Sequence, residues 1–420
     1  MIDIDKWQEI LGALRKNKLR TFLTAFGVFW GIFMLVIMLG SGNGLLKGVT
    51  AGFGDFATNS TFIWAENTTV PYKGYPRGRW YNFENDDIKA LRDNIPSISI
   101  IAPRLQGGGF RSGDNVVHGL KTGAFSIYGD YPEIALIDPI RILNGRFLNK
   151  IDIDKKRKVA VIGKRVYDVL FNKGEDPVGQ YIRIQGVYFQ VIGVFEPKNK
   201  NVNFGGDKEQ TIFLPFSSMQ QTYNYGNVVG WFSITSKPEV PVSVVEEQAI
   251  QLLKKRHSVS PLDENGVGHF NIQKEYLKMT GLFLGISILI WIVGIGTLFA
   301  GVIGVSNIMM VIVKERTRET GIRRALGATP MAIMGQIVSE AIFLTSIAGF
   351  LGLSAGVAVL EGVTKLLEAN PSDSMMFKSP QVDINIALIA LVVLIVCGTL
   401  AGMIPARKAV SVKPVEALKG

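Results

Sequence analysis

The chain has 420 residues, a formal net charge of +10, 47% hydrophobic residues and only 19% charged ones. The apolar residues are gathered into long uncharged runs, which excludes one large water-soluble core and points to a membrane protein. Most of the positive charge sits beside those runs and no nucleic-acid reader motif accompanies it, so the charge calls for no nucleic-acid partner.

Residues 1–20 read as a cytoplasmic amphipathic helix. Trp7, Ile10, Leu11 and Leu14 share one face at helical spacing, and Lys6, Arg15, Lys16, Lys18 and Arg20 can reach lipid phosphates. A soluble helix packed on a partner is the competing reading. The first uncharged run follows, and 21–43 is expected to be the first span (TM1). It is longer than a signal-peptide core and ends in Ser41-Gly42-Asn43-Gly44, which favours an uncleaved anchor.

Segment 44–278 alternates strand-like and helix-like runs. Thr61–Trp64, Val159–Ile162, Tyr181–Ile184, Tyr188–Val194 and Thr211–Leu214 have the β-branched and aromatic content of strands. Asp176-Pro177 and Gln185-Gly186 mark turns. Asn82–Asn94 and Val242–Arg256 read as helices, the first capped by Asn82. The mixture predicts a large extracytoplasmic α+β domain inserted between the first two spans. Gly107–Gly109, Gly205-Gly206 and Tyr72–Arg79 read as exposed loops, and Asp152 and Asp154 as solvated loop charges. The only cysteine is Cys397, so no disulfide staples this domain.

Residues 279–313 carry no charge and would be roughly 50 Å long as a helix, against ~30 Å of hydrocarbon. A stalk continuing into TM2 is the simplest account, and a break at Gly294/Gly296 the alternative. Then comes Lys314–Ala328, KERTRETGIRRALGA, a mixed-charge segment that cannot lie in hydrocarbon. Residues 314–330 are expected to form a cytoplasmic coupling loop, 331–360 the end of that segment and TM3, 361–383 a short extracytoplasmic loop, 384–406 TM4 and 407–420 a cytoplasmic tail. The expected fold class is therefore an α-helical membrane protein with four transmembrane helices and one large outer domain. Glu340, the only acid within the spans, stands near the cytoplasmic edge, where a snorkelling or Arg-paired structural role is expected. Each span holds a Gly-x-x-x-Gly pair (Gly27/Gly31, Gly281/Gly285, Gly352/Gly356, Gly398/Gly402), which favours tight bundling or dimerisation.

Some chemistry is missing from the sequence. There is no Gly-x-x-x-x-Gly-Lys-Ser/Thr phosphate loop and no Gly-x-Ser-x-Gly elbow, and His118, His257 and His269 have no cysteine companions suited to zinc. No catalytic, cofactor-binding or metal residue is assigned.

Lys314–Ala328 closely resembles the signature of MacB/FtsX-type ABC transporter permeases, departing from it at Thr320, where that group has an apolar residue. Leu14–Thr24, Asn144–Phe147, Val159–Gly163, Asp176–Gly179, Val191–Val194, Pro405–Ala409 and Pro414–Leu418 extend the resemblance along essentially the whole chain. The resemblance implies a stand-alone, non-catalytic permease subunit, a MacB-like periplasmic core domain plus an FtsX-like permease domain, in an ABC-type efflux or extraction complex. It implies ATP bound on a separate cytoplasmic ABC ATPase subunit, a second permease chain, identical or not, and in some complexes a periplasmic adaptor. It also implies mechanotransmission, the conversion of ATP-driven motion into periplasmic shape change. By resemblance Glu315, Arg316, Arg318, Glu319, Gly321, Arg323, Arg324, Leu326 and Gly327 form the ATPase-coupling surface. The alternative is an FtsX-like signalling permease that regulates a cell-wall hydrolase.

The Lys/Arg excess of 1–20, 314–330 and 407–420, against the acidic 361–383, places both termini in the cytoplasm of a multi-pass cell (inner) membrane protein and 44–278 outside. In a cysteine-free background, a membrane-impermeant thiol reagent added to intact cells should label Gly205→Cys and spare Lys419→Cys. The reverse pattern would invert the topology.

Overall fold

The computed structural model describes residues 18–53, 56–107, 115–198, 207–369 and 384–411. Most of the expected helix at 1–20, the Gly108-Gly109 and Gly205-Gly206 loops, and the tail beyond 411 lie outside the described residues. Thr50–Met279 form one compact unit, and the residues up to Val49 together with those from Thr280 form another.

In chain order, helix α1 spans Lys18–Phe53. The 50–279 unit continues with β1 (Ser60–Ala65), β2 (Phe83–Glu84), α2 (Asn85–Asn94), β3 (Ile98–Gly107), β4 (Val116–His118), β5 (Lys121–Gly123) and β6 (Ser126–Asp130). Then come α3 (Ile134–Ile137), β7 (Ile140–Gly145), α4 (Lys150–Asp154), β8 (Val159–Gly163), α5 (Lys164–Leu170), β9 (Tyr181–Ile184) and β10 (Val187–Pro197). It ends with β11 (Thr211–Pro215), α6 (Phe216–Thr222), β12 (Val228–Val229), β13 (Trp231–Ser236), α7 (Val242–Arg256) and β14 (Val267–Asn271). Helices α8 (Ile272–Glu315), α9 (Thr317–Ala325), α10 (Pro330–Ala369) and α11 (Ile384–Ser411) follow.

The large sheet runs β14-β1-β13-β3-β6-β11-β8-β10-β9-β4-β5, with β7 added on β10. The pairs β8–β10 and β6–β11 are parallel and the other pairs antiparallel, so this is a mixed α+β domain. Side chains alternate between faces, and both faces are covered. Ile63, Ala160, Ile162, Ile212 and Leu214 enter one core, while Phe62, Val161 and Phe213 enter cores on the other face. That is why these strands read as unbroken apolar runs. At the β9–β10 turn Gln185 and Gly186 both have positive φ (47° and 90°), which closes the hairpin.

Two local readings change. Helix α2 starts one turn later than expected, because Glu84, not Asn82, is its cap and pairs with Asp87 in a capping box. Asp87 is fully buried, and it accepts from Arg256 Nε at 2.5 Å and meets His257 Nε2 at 2.6 Å, tying α2 to the end of α7. Burial alone would raise its pKa. The bonds from His257, the Glu84 amide and Arg256 outweigh burial and hold the carboxyl below its usual range. Asp154 is exposed as expected, but Asp152 is not a solvated charge. It is buried, it caps α4 with Asn149, and Arg146 Nη1 and Nη2 grip it at 2.6 and 3.0 Å. Its neighbour Ile153 is buried too, so one turn faces the core, and the bidentate Arg makes the burial tolerable.

Among the described residues three helices are long and apolar enough to cross a membrane: α8, α10 and, within α1, Ala25–Thr50. The expected fourth span falls within α11. Part of α11 lies outside the residues whose side chains are described, so the fourth crossing stands as an expectation. Helix α8 is unbroken through Gly294 and Gly296, which removes the broken-helix alternative. The glycine pairs do something more specific than the sequence indicated. Gly27 lies against the Gly301 backbone and Gly31 against Thr297 and Leu298, joining α1 to α8. Gly352 and Gly356 face Phe29 and Val36, joining α10 to α1, and Gly398 and Gly402 face Thr345 and Ala341, joining α11 to α10. Three of the four pairs are thus spent on packing this chain against itself. Gly281 and Gly285 have nothing near them among the described residues.

A Cβ on Gly352 would sit 2.5 Å from the Phe29 carbonyl oxygen, backbone that cannot swing away. Gly352→Ala should therefore destabilise the detergent-solubilised chain by about 1–3 kcal/mol, the usual cost of overpacking. Gly281→Ala should leave the thermal aggregation midpoint unchanged. Equal behaviour of the two variants would contradict this packing.

Candidate functional site

The charged segment between α8 and α10 is itself a short helix, α9, with defined ends. Thr317 Oγ1 donates back to the Val313 carbonyl at 3.1 Å, where α8 gives way to α9. Glu319 lies in the first turn of α9 and Arg323 and Arg324 in the last, the arrangement that the helix dipole favours. Its C-terminus is a Schellman motif: the Ala328 amide donates to the Arg323 carbonyl at 3.0 Å and the Gly327 amide to that of Arg324 at 3.1 Å. Gly327 has φ +97°, which a side chain would oppose. Thr329 then accepts from the Ala332 amide at 3.3 Å, and Pro330 starts α10, a favourable N-cap and first-turn pair.

The expected coupling residues separate into two groups. Arg316, Arg323 and Arg324 are turned onto their own chain. Arg316 Nη1 lies 3.4 Å from Glu340 Oε1, Arg323 Nη1 donates to Gln336 Oε1 at 3.0 Å, and Arg324 Nη1 to the Val410 carbonyl at 2.6 Å. Gly321 is the buried residue of the helix. The other group is exposed: Glu315, Arg318 and Glu319, the last at the edge of a cleft, and Leu326, 82% exposed beside exposed Ile322. Glu340 is buried on α10 and has the Arg partner expected of it. Gln336 and the Val410 carbonyl were not legible in the sequence, since Val410 is 86 residues from its partner.

A shallow cleft with about 40 Å³ of space for water opens between α8, α9 and α10. Met309, Ile312, Val313, Ile333 and Ile337 line one part, and Arg316, Glu319, Thr320, Arg323, Gln336 and Glu340 the rest. The described residues contain no cluster of three or more His, Cys, Asp or Glu able to hold a metal ion.

Residues 21–252 match the MacB-like periplasmic core domain, and residues 279–414 match the FtsX-like permease C-terminal domain. The chain belongs to the MacB/FtsX family of ABC transporter permeases. It is 31% identical over 404 residues to the pyoverdine export ATP-binding/permease protein PvdT of Pseudomonas savastanoi pv. phaseolicola, covering 96% of this chain and 57% of that protein. It is 28% identical over 427 residues to the macrolide export ATP-binding/permease protein MacB 2 of Aeromonas hydrophila, covering 99% and 61%. The chain thus spans little more than half the length of these relatives. Among solved structures, the periplasmic region of MacB from Actinobacillus actinomycetemcomitans matches at 19% identity with a TM-score of 0.43, covering 54% of this chain and 95% of that one.

Within this MacB/FtsX permease the end of α9 depends on one backbone conformation. Gly327→Ala should cost about 1–2 kcal/mol locally, raising hydrogen–deuterium exchange across 317–326 by roughly tenfold. Gly327→Asn should do much less, because Asn tolerates the left-handed region. Unchanged exchange in the Ala variant would show that the helix end does not rest on this residue.

Proposed function

We propose that this chain is the permease subunit of an ABC-type efflux or extraction complex, and that α9 receives ATP-driven motion from a separate cytoplasmic ABC ATPase. The observation that carries the reading is the division of labour on α9. Three arginines lock the helix to α10 and α11, while Leu326, Ile322 and Arg318 are exposed outside the cleft. A helix fixed on one side and presenting an apolar tip on the other suits a rigid lever better than a flexible tether. In this reading force enters at Leu326 and Ile322. It passes through the arginine bonds into the spans, and unbroken α8 carries it toward the periplasmic domain as mechanotransmission.

In this reading the Arg323 and Arg324 forks hold the lever to its own bundle. Four spans with cytoplasmic termini in the inner membrane fit the charge distribution. A second permease chain fits as well, with the exposed stripe Phe22, Phe26 and Trp30 of α1 as a better contact than the glycine pairs already spent internally. A periplasmic core match over 21–252 favours efflux or extraction over cell-wall signalling. The names of the relatives, pyoverdine and macrolide export, suggest an amphiphilic small molecule as cargo.

The 420 residues contain no phosphate loop, so the purified chain should show no ATPase activity above an empty-micelle blank. A cognate ABC ATPase should bind it, and Leu326→Ser should weaken that binding by about tenfold while membrane insertion stays normal. ATP hydrolysis in a preparation shown by mass spectrometry to hold this chain alone would overturn the assignment. Full ATPase binding by the Leu326→Ser variant would move the docking surface elsewhere.

A further inference from the structure

We propose that the loop at residues 72–80 docks a second, different protein through an acidic segment of that partner. The inference goes beyond the coupling role of α9 and rests on the 50–279 unit alone. Strands β1 and β14 are antiparallel, with Thr61 opposite Asn271 and Ala65 opposite Val267. The loop follows β1, so it stands at the end of this strand pair away from the root of α8.

The loop is held in place at its tip and at its base. Tyr72 and Tyr75 exchange amide–carbonyl bonds of 3.1 and 3.0 Å around Lys73 and Gly74, whose φ values of 48° and 83° make a tight two-residue turn. The Thr68 carbonyl accepts from the Gly78 amide at 2.5 Å. The base is tied to the neighbouring loop at residues 257–266. Asp263 Oδ2 accepts from the amides of Thr69 and Val70 at 2.7 and 3.2 Å, and Arg79 Nη2 donates to the carbonyls of His257 and Ser258 at 2.5 and 3.1 Å. A partner therefore meets a surface that is already ordered, with little conformational entropy left to lose.

Charge and exposure say what that partner is. Residues 67–83 contain no Asp or Glu but hold Lys73, Arg77 and Arg79. Arg79 is turned inward, whereas Lys73 and Arg77 are exposed and have no acidic partner among the described residues. Two such cations on a fixed loop select an anionic surface, and the same patch on a second copy of this chain would repel it across a two-fold contact. Tyr75 is 47% exposed, its ring fixed by the Arg79 guanidinium 4.2 Å from its centre, and Trp80 is 66% exposed. Exposed Tyr, Trp and Arg are the side chains that anchor protein interfaces. Leu262, on the loop that Asp263 ties to this one, is 84% exposed, and an aliphatic anchor favours a protein over a glycan or a free anion.

The test is photocrosslinking in intact cells with the full chain carrying p-benzoylphenylalanine in place of Tyr75. A control carries it in place of Tyr188, which is exposed on β10. The Tyr75 position should give an adduct with a protein other than this chain, absent from the Tyr188 control, and mass spectrometry should place it in an Asp/Glu-rich segment. Lys73→Glu with Arg77→Glu should lower its yield by about tenfold, the worth of two exposed charge pairs. Lys73→Arg with Arg77→Lys should preserve it. If the charge reversal lowers abundance, Lys73→Gln with Arg77→Gln decides. No protein adduct, an adduct with lipid, glycan or a second copy alone, a crosslinked segment without acids, or a yield that neither charge-removing variant lowers would overturn the proposal. None of these outcomes touches the coupling role of α9.

Discussion

Hydrocarbon will not accept a run of arginines, and this one rule organises the second half of the chain. Arg316, Arg318, Arg323 and Arg324 follow directly on the long apolar helix α8 and shortly precede the apolar helix α10. A chain whose α8 and α10 both cross the bilayer must leave it, turn and return within a few residues. It does so with an ordered helix, because the backbone of the turn is satisfied locally. The Schellman bonds at Gly327 and the Thr329 cap leave few amides that need a partner. Three of the arginines then spend their donors on α10 and α11, which turns a topological necessity into a rigid part.

Rigidity in the spans has a different source. Lipid tails give no hydrophobic push between apolar helices, so contact distance decides. Gly27, Gly31, Gly352, Gly356, Gly398 and Gly402 remove side chains where α1, α8, α10 and α11 approach. These helices then meet backbone to backbone or against a single side chain. Under the proposed mechanism, force applied at α9 would reach a bundle with little slack. The same packing uses three of the four glycine pairs inside this chain, while the aromatic stripe of α1 stays exposed and Gly281 and Gly285 meet no neighbour among the described residues.

Periodicity carried the sequence a long way. Val242–Arg256 is a helix with the limits its pattern indicated, and the strands at Thr61, Val159, Tyr181 and Thr211 stand where β-branched content put them. The reading failed where a polar group finds a distant partner. Asp152 looked like a loop charge, because nothing in its neighbourhood announces that Arg146 folds back on it. Asp87 meets residues about 170 positions away, and Arg324 meets the end of α11. Local pattern shows that a residue is charged, but only the fold shows whether that charge faces water. The glycine pairs were visible as spacing, yet which pair meets which helix is a three-dimensional fact.

The central claim is that motion imposed on α9 changes the periplasmic domain. Pulsed electron–electron resonance between spin labels at Lys173→Cys on two subunits of the reconstituted complex, in a background without native thiols, measures it directly. Lys173 is exposed in that domain and lies far in sequence from the charged segment. The account predicts that a non-hydrolysable ATP analogue shifts the distance distribution, and that Arg324→Ala suppresses the shift although the ATPase stays bound. A distribution that nucleotide leaves unmoved in the parent complex, or one that shifts as fully with Arg324→Ala, would contradict it.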